Sequence, residues 1–335
     1  MTHTLILQAA SVIGGLFLLY FGGNFLVKGA ASLARKLNVP VIIVGLTVVA
    51  FGTSAPELFV SMLSAFRGLM SVSIGNVIGS NIINIALILG MASAIYPMTA
   101  SKKITFVDVP LMIGTYLVMF LVLANFTPRG IKWAGGVITT GEGVLMVGLL
   151  AAYLYSLYRY GKNKGVEELE EIHVEEIEES PEGSIPLLTG KIVLGVTFLA
   201  GGAHLLVGGA SWVAREIFGV SERFIGITIV ALGTSLPELV TSVVAAARKE
   251  MDISLGNIVG SNIFNSLMVL GATAIVRNID VGSTGFEYDF LFMIGISLLL
   301  FLILAIKGRI PRWGGLTFLM VYAGYFYFLI QTRTL

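Results

Sequence analysis

One stretch of this apolar chain is written twice, and each copy sets a single glutamate among residues suited to hydrocarbon. The first copy reads G-L-T-V-V-A-F-G-T-S-A-P-E-L from Gly45 and G-N-V-I-G-S-N-I-I-N from Gly75. The second reads G-I-T-I-V-A-L-G-T-S-L-P-E-L from Gly226 and G-N-I-V-G-S-N-I-F-N from Gly256. The offset, Glu57 to Glu238, is 181 residues without a gap, and the paired positions are identical at about half of their length. A carboxylate at the centre of a bilayer costs about 2.5–3.5 kcal/mol even on the lenient insertion scale. Two of them at matching points of a duplicated segment imply one site shared by both halves.

Composition makes the bilayer the solvent. Mean hydropathy is +0.90, 56% of residues are hydrophobic and only 12% are charged, against about 25% charged in soluble domains. With no cysteine, disulfides, thiolate metal sites and cysteine nucleophiles are excluded. His3, His173 and His204 are too scattered for a zinc triad. A net charge of +1, with basic residues spread between apolar runs, argues against a nucleic-acid partner. The N-terminus lacks a basic n-region and cleavage site, so the first apolar run reads as a retained span.

Apolar runs of about 20 residues fall near 7–34, 40–66, 72–97, 105–126, 137–158, 190–217, 224–247, 253–276, 287–306 and 313–331. The expected fold is an all-α integral membrane protein of ten transmembrane helices, five on each side of a polar segment. Because five is odd, the second repeat enters the membrane facing the opposite way, giving two inverted five-helix repeats at 1–160 and 189–335. With the N-terminus outside, inner loops carry thirteen Lys/Arg and outer loops seven, which favours N-out and C-out. Lys28 reads as snorkelling from the first span and His204 as a packed, hydrogen-bonded side chain. The first span of each half is rich in Gly, Ala and Ser, which suits close helix approach and sliding alike. The linker 161–188 carries nine glutamates between Glu167 and Glu182 and lacks an EF-hand pattern, so it reads as a solvated acidic cytoplasmic connector.

Within G-T-S-x-P-E, Pro56 and Pro237 cannot donate a backbone hydrogen bond, which frees carbonyls around Ala50–Thr53 and Ala231–Thr234. Thr53 and Glu57 are four apart and share a helix face, and Ser54 adds a hydroxyl beside them. Thr234, Ser235 and Glu238 repeat the arrangement. Ser80 and Asn84 share a face in the second element, as do Ser261 and Asn265. Carbonyl, hydroxyl and carboxylate oxygens suit a hard cation such as Ca²⁺, and no soft ligand is present. Two carboxylates give a charge that one Ca²⁺, several Na⁺ or two H⁺ neutralise, which makes obligatory exchange physically natural.

The paired G-T-S-A-P-E / G-T-S-L-P-E and G-S-N-I-I-N / G-S-N-I-F-N segments resemble the α-repeats of sodium/calcium exchangers, within the cation/calcium exchanger superfamily. The resemblance implies alternating-access antiport of Ca²⁺ against Na⁺, usually electrogenic, with both ions as substrates and no cofactor. It implies that Glu57 and Glu238 ligate the ions, with Thr53, Ser54, Thr234 and Ser235 acting through carbonyl and hydroxyl. It further implies roles for the carbonyls of Ala50 and Ala231, for Ser80 and Ser261, and for Asn84. One departure is Asn265, where some relatives carry Asp; that removes a carboxyl and argues against K⁺ co-transport.

Three alternatives stand beside Na⁺/Ca²⁺ exchange: a H⁺/Ca²⁺ antiporter of the same superfamily, a passive cation channel, and an intramembrane carboxylate enzyme. The absence of a nucleophile motif, a metal-binding His set or a phosphate loop speaks against the enzyme. The expected surroundings are the lipid bilayer of a prokaryotic plasma membrane, with no obligate protein partner.

Overall fold

The computed structural model describes residues 2–37, 39–68, 70–123, 125–127, 130–132, 137–163, 183–217, 231–280 and 286–333. The first half begins with α1 (Thr2–Lys36), then α2 (Val41–Thr53) and α3 (Ala55–Phe66), which together form one bent element. It continues through α4 (Val72–Ile95), α5 (Ile104–Val122) and α6 (Thr140–Asn163). The second half contains α7 (Ile185–Glu216), α8 (Ala231–Thr234), α9 (Leu236–Ala247), α10 (Met251–Val276), α11 (Glu287–Lys307) and α12 (Arg312–Arg333). Helices satisfy their own backbone groups, which an apolar solvent demands.

Among the described residues, seven helices are long and apolar enough to cross a membrane, and the bent pair makes eight. The segment expected at 224–247 is described only from Ala231, so the twelve residues of α9 fall short of a span by themselves. The helix α12 occupies the tenth expected segment but is not among the seven. The expected span 105–126 stops being helical at Leu123 and gives way to a strand at Asn125–Thr127. Most of the acidic linker, 164–182, lies outside the described residues.

Depth in the bundle separates two groups of helices. The most apolar windows of α4 and α10 are 72% and 83% buried, whereas that of α1 is only 17% buried. The two segments carrying the second motif therefore form the centre, and α1 lies at the edge. There α1 and α7 pack antiparallel through glycines seven residues apart. A Cβ added to Gly15 would sit 2.7 Å from the carbonyl oxygen of Gly202, and one on Gly202 would sit 2.8 Å from that of Gly15. Gly22 and Gly195 meet in the same way at 2.9 Å. Only glycine permits that approach. This seam turns His204 to the opposite face of α7, where it is exposed rather than packed. Lys28 is likewise exposed, as expected of a snorkelling side chain.

Short antiparallel strand pairs tie the halves together outside the helices. Met98–Thr99 pairs with Arg309–Ile310, and Val137–Ile138 pairs with Ile279–Asp280. Among the described residues, four helical runs widen into π-helix, at Gly45–Val49, Ile83–Leu89, Ile104–Asp108 and Asn265–Val269. Such segments re-aim side chains and cluster at functional sites. Two of the four begin on the last residues of the duplicated second motif, at Ile83 and at Asn265.

Candidate cation-binding site

Each copy of G-T-S-x-P-E breaks its helix at the serine. Ser54 sits at φ −83°, ψ 3° and Ser235 at φ −88°, ψ 5°, both outside helical geometry. The axes of α2 and α3 meet at 44° there. Pro56 and Pro237 occupy the first turns of the restarted helices, where a missing N–H costs nothing. Glu57 and Glu238 fall in the same first turns. The positive end of each helix dipole therefore supports a carboxylate.

The break crosses the two halves over one another. Ser54 Oγ donates to Glu238 Oε1 at 2.9 Å, and Ser235 Oγ donates to Glu57 Oε1 at 3.3 Å. Each glutamate is thus held by the serine of the opposite half. Ser80 Oγ lies 3.3 Å from Ser235 Oγ, and Ser261 Oγ lies 3.5 Å both from Glu238 Oε1 and from Thr53 Oγ1. All of these side chains are buried. The second carboxylate oxygen of each glutamate, Oε2, is buried without a hydrogen-bond partner. A buried anionic oxygen of that kind is costly unless a cation faces it.

No basic side chain among the described residues supplies the cation. Among the described residues, the ion pairs are Arg35–Glu250 at 3.3 Å and Lys103–Asp108 at 2.7 Å, neither of which involves these glutamates. Asp108 and Asp289 are buried acids that sequence reading passed over. Asp108 has its lysine, and Asp289 accepts the Tyr325 hydroxyl at 2.6 Å, so neither waits for an ion.

The remaining expected residues divide. Ala50 is buried, and its carbonyl accepts the Ser54 N–H at 3.0 Å and lies 3.3 Å from Thr53 Oγ1. That carbonyl is therefore engaged rather than freed by Pro56. Ala231 opens α8. Thr234 joins through Asn76, whose Oδ1 accepts its hydroxyl at 3.4 Å. Asn84 donates to Asn262 Oδ1 at 2.9 Å and leaves its own Oδ1 unpartnered. Asn265 is fully buried with both amide atoms unpartnered.

Four asparagines that the sequence reading left unassigned complete the centre: Asn76, Asn81, Asn257 and Asn262. The signal for them was present, since all four belong to the duplicated G-N-x-x-G-S-N element. Asparagines at matching places in two apolar helices, three of them buried and Asn76 half-buried, need partners as much as the glutamates do.

A predominantly helical membrane protein whose pairwise-matched broken helices bring two unpaired carboxylates and a shell of neutral oxygens together is an ion carrier by class. The model of the family described as sodium/calcium exchanger protein matches residues 7–159 and 187–331, and the chain belongs to that family. It is 37% identical over 326 residues to the putative antiporter CaxA of Alkalimonas amylolytica, covering 96% of this chain and 98% of the relative. It is 30% identical to the sodium/calcium exchanger MaX1 of Methanosarcina acetivorans, over 93% of this chain and 95% of that one. A solved structure of the sodium-calcium exchanger NCX_Mj, soaked with 10 mM Na⁺ and no Ca²⁺, superposes with a TM-score of 0.79 at 29% identity. It covers 98% of this chain and 99% of its own. The chain is accordingly a cation/Ca²⁺ exchanger of the membrane, and a transporter rather than an enzyme.

Proposed function

We propose that the chain exchanges Ca²⁺ for Na⁺ by alternating access, with the ions bound at mid-membrane between two inverted five-helix repeats. The ions are substrates; the site needs no resident cofactor. The observation that carries this reading is the crossed pair Ser54–Glu238 and Ser235–Glu57, which makes neither half a site without the other. The oxygens of Glu57 and Glu238, the hydroxyls of Thr53, Ser54, Thr234, Ser235, Ser80 and Ser261, the side chains of Asn84 and Asn265 and the carbonyls of Ala50 and Ala231 are its ligand candidates. A hard cation takes 6–8 oxygens at about 2.3–2.6 Å, and this set supplies more than one ion requires. An empty site would leave two buried carboxylates uncompensated, so reorientation without cargo is disfavoured and exchange becomes obligatory. Asn265, neutral where a carboxyl would add charge, speaks against a K⁺-coupled cycle.

The thirteen inner and seven outer basic residues support an orientation with both termini outside, and the location proposed with it is the plasma membrane of a prokaryote. The test is ⁴⁵Ca²⁺ uptake into proteoliposomes of the purified protein. Uptake driven by an outward Na⁺ gradient and indifferent to a pH gradient is expected. Uptake that follows the pH gradient with Na⁺ absent would assign the H⁺/Ca²⁺ alternative, and uptake with no counter-gradient would assign a channel.

A further inference from the structure

The amides around the site are wired so that their polarity is dictated from the backbone. A backbone carbonyl accepts hydrogen bonds and never donates them, so an asparagine beside one must turn its NH₂ toward it. Asn257 Nδ2 faces the carbonyl of Glu238 at 3.4 Å and Ser242 Oγ at 3.0 Å. Its Oδ1 therefore points the other way, where it accepts the Thr53 hydroxyl at 2.9 Å. The first half repeats the device. Asn76 Nδ2 faces the carbonyl of Glu57 at 3.3 Å and Ser61 Oγ at 2.9 Å, and Asn76 Oδ1 accepts the Thr234 hydroxyl at 3.4 Å. Each asparagine thus accepts a hydrogen bond from the hydroxyl of a threonine in the opposite half. A third link has the same logic: Asn262 Nδ2 faces the carbonyl of Asn81 at 3.4 Å, and Asn262 Oδ1 accepts Asn84 Nδ2 at 2.9 Å. Asn84 Oδ1 is then the end left over, buried and without a partner.

We propose that Asn76, Asn257 and Asn262 are positioning residues that, anchored on the carbonyls of Glu57, Glu238 and Asn81, turn the oxygen lone pairs of Thr234, Thr53 and Asn84 toward the transported cation. The inference rests on the cation-site reading above and deepens it. Hydroxyls and amides carry both a donor and an acceptor end, and a cation site tolerates only the second. A flipped Asn84 would present NH₂ to Ca²⁺, and a Thr53 free to rotate would present its proton. Threonine hydroxyls and amides become cation ligands only when something else holds their protons. Groups that orient metal ligands in this way commonly change metal affinity by roughly 10–100-fold when removed.

Double-substitution cycles on purified full-length protein separate orientation from packing. Ca²⁺ affinity is measured by titration calorimetry with CaCl₂, and the apparent KM and Vmax by ⁴⁵Ca²⁺ uptake. Asn262→Leu keeps the branched outline of the side chain, with somewhat more bulk, and removes the acceptor; the Ca²⁺ Kd and KM should rise roughly 10–100-fold with Vmax the lesser change. Added to Asn84→Ala, the same substitution should change the Kd no further. Asn257→Leu should likewise weaken binding alone and add nothing to Thr53→Val. Asn262→Asp, whose protonated carboxyl can donate to the Asn81 carbonyl and still accept from Asn84, should restore affinity. Independent, multiplicative losses in the cycles, or unchanged affinity in the single variants, would overturn the relay. Where Asn262→Leu yields no folded protein, the Asn257–Thr53 cycle decides alone. Normal Ca²⁺ binding by Glu57→Gln would instead remove the site reading itself, whatever the cycles give.

Discussion

Around the two glutamates the halves of the chain make matching bonds. Ser54 holds Glu238 as Ser235 holds Glu57, and Asn257 serves Thr53 as Asn76 serves Thr234. One turn onward the match ends. Asn84 is pinned by Asn262, while the side chain of its counterpart Asn265 makes no hydrogen bond, and Asn81 donates to Ser266 Oγ at 3.1 Å. The residue types are the same in both copies: Asn84 answers Asn265, and Asn81 answers Asn262. The neighbours differ, however: Ser266, which Asn81 reaches, is answered in the first copy by Ile85, which offers Asn262 no hydroxyl. The helical frame differs as well, for Asn84 lies inside a seven-residue π segment whereas Asn265 starts a five-residue one. A duplicated sequence fixes which groups meet in the centre, and the packing of each copy fixes how they bond.

The largest effect should come from the symmetric part. Glu57→Gln and Glu238→Gln each remove half of the site's formal charge with almost no change of shape, and the neutral amide is easier to bury. Both variants should stay folded and monodisperse and lose Na⁺-driven ⁴⁵Ca²⁺ uptake altogether. Near-normal flux in either would break the equivalence of the halves and the two-carboxylate site with it.

Ser54→Ala and Ser235→Ala come next. Each deletes the hydroxyl that crosses to the opposite glutamate, a hydrogen bond to a charged group worth about 1.5–3 kcal/mol. The two should raise the KM for Ca²⁺ by similar factors, on the order of tenfold or more. A large effect in one and none in the other would show that the crossed pairs, alike in geometry, are unlike in function.

Asn265→Asp probes the asymmetric part and should act more gently. It adds a carboxyl one turn from Ser261 without disturbing an existing hydrogen bond, because the Asn265 amide has none. Transport should persist with a shifted dependence on Na⁺ and pH. Identical ion and pH dependence would place this residue outside the ion shell and leave its buried amide without a role.

How much of this was legible beforehand follows the same division. Glu57 and Glu238 stood out because charge in an apolar run is expensive, and Pro56 and Pro237 announced the helix breaks because the ring removes a donor. Spacing put Ser80 on one face with Asn84 and Ser261 on one face with Asn265. What spacing could not give was pairing between halves: nothing local says that Ser54 reaches Glu238 rather than Glu57. The polarity of Asn76, Asn257 and Asn262 was hidden for the same reason, being set by contacts across tertiary structure. The buried Asp108 was missed because its lysine is only five residues away and reads as a loop charge. His204 was misjudged because periodicity shows a helix's faces without saying which one meets α1.

The smallest effect should come from the segment that joins the halves. Replacing 165–182 with a Gly/Ser stretch of equal length should leave exchange intact, since that stretch holds no part of either duplicated motif. Its near end is anchored on the described structure, where Lys36 Nζ donates to the Gly183 carbonyl at the foot of α1. That contact lies beyond the replaced stretch and would survive. The nine glutamates can raise local cation concentration, but salt screens them beyond about 8 Å at physiological strength. A modest shift in the KM for Ca²⁺ at low ionic strength, vanishing as salt is added, is therefore the expected ceiling. Equal length matters, because a shorter tether would strain the path from α6 to α7 and confound the outcome. Loss of Ca²⁺ flux in a well-expressed replacement, at every salt concentration, would mean that the linker does more than connect, and that the two halves depend on something besides the site they share.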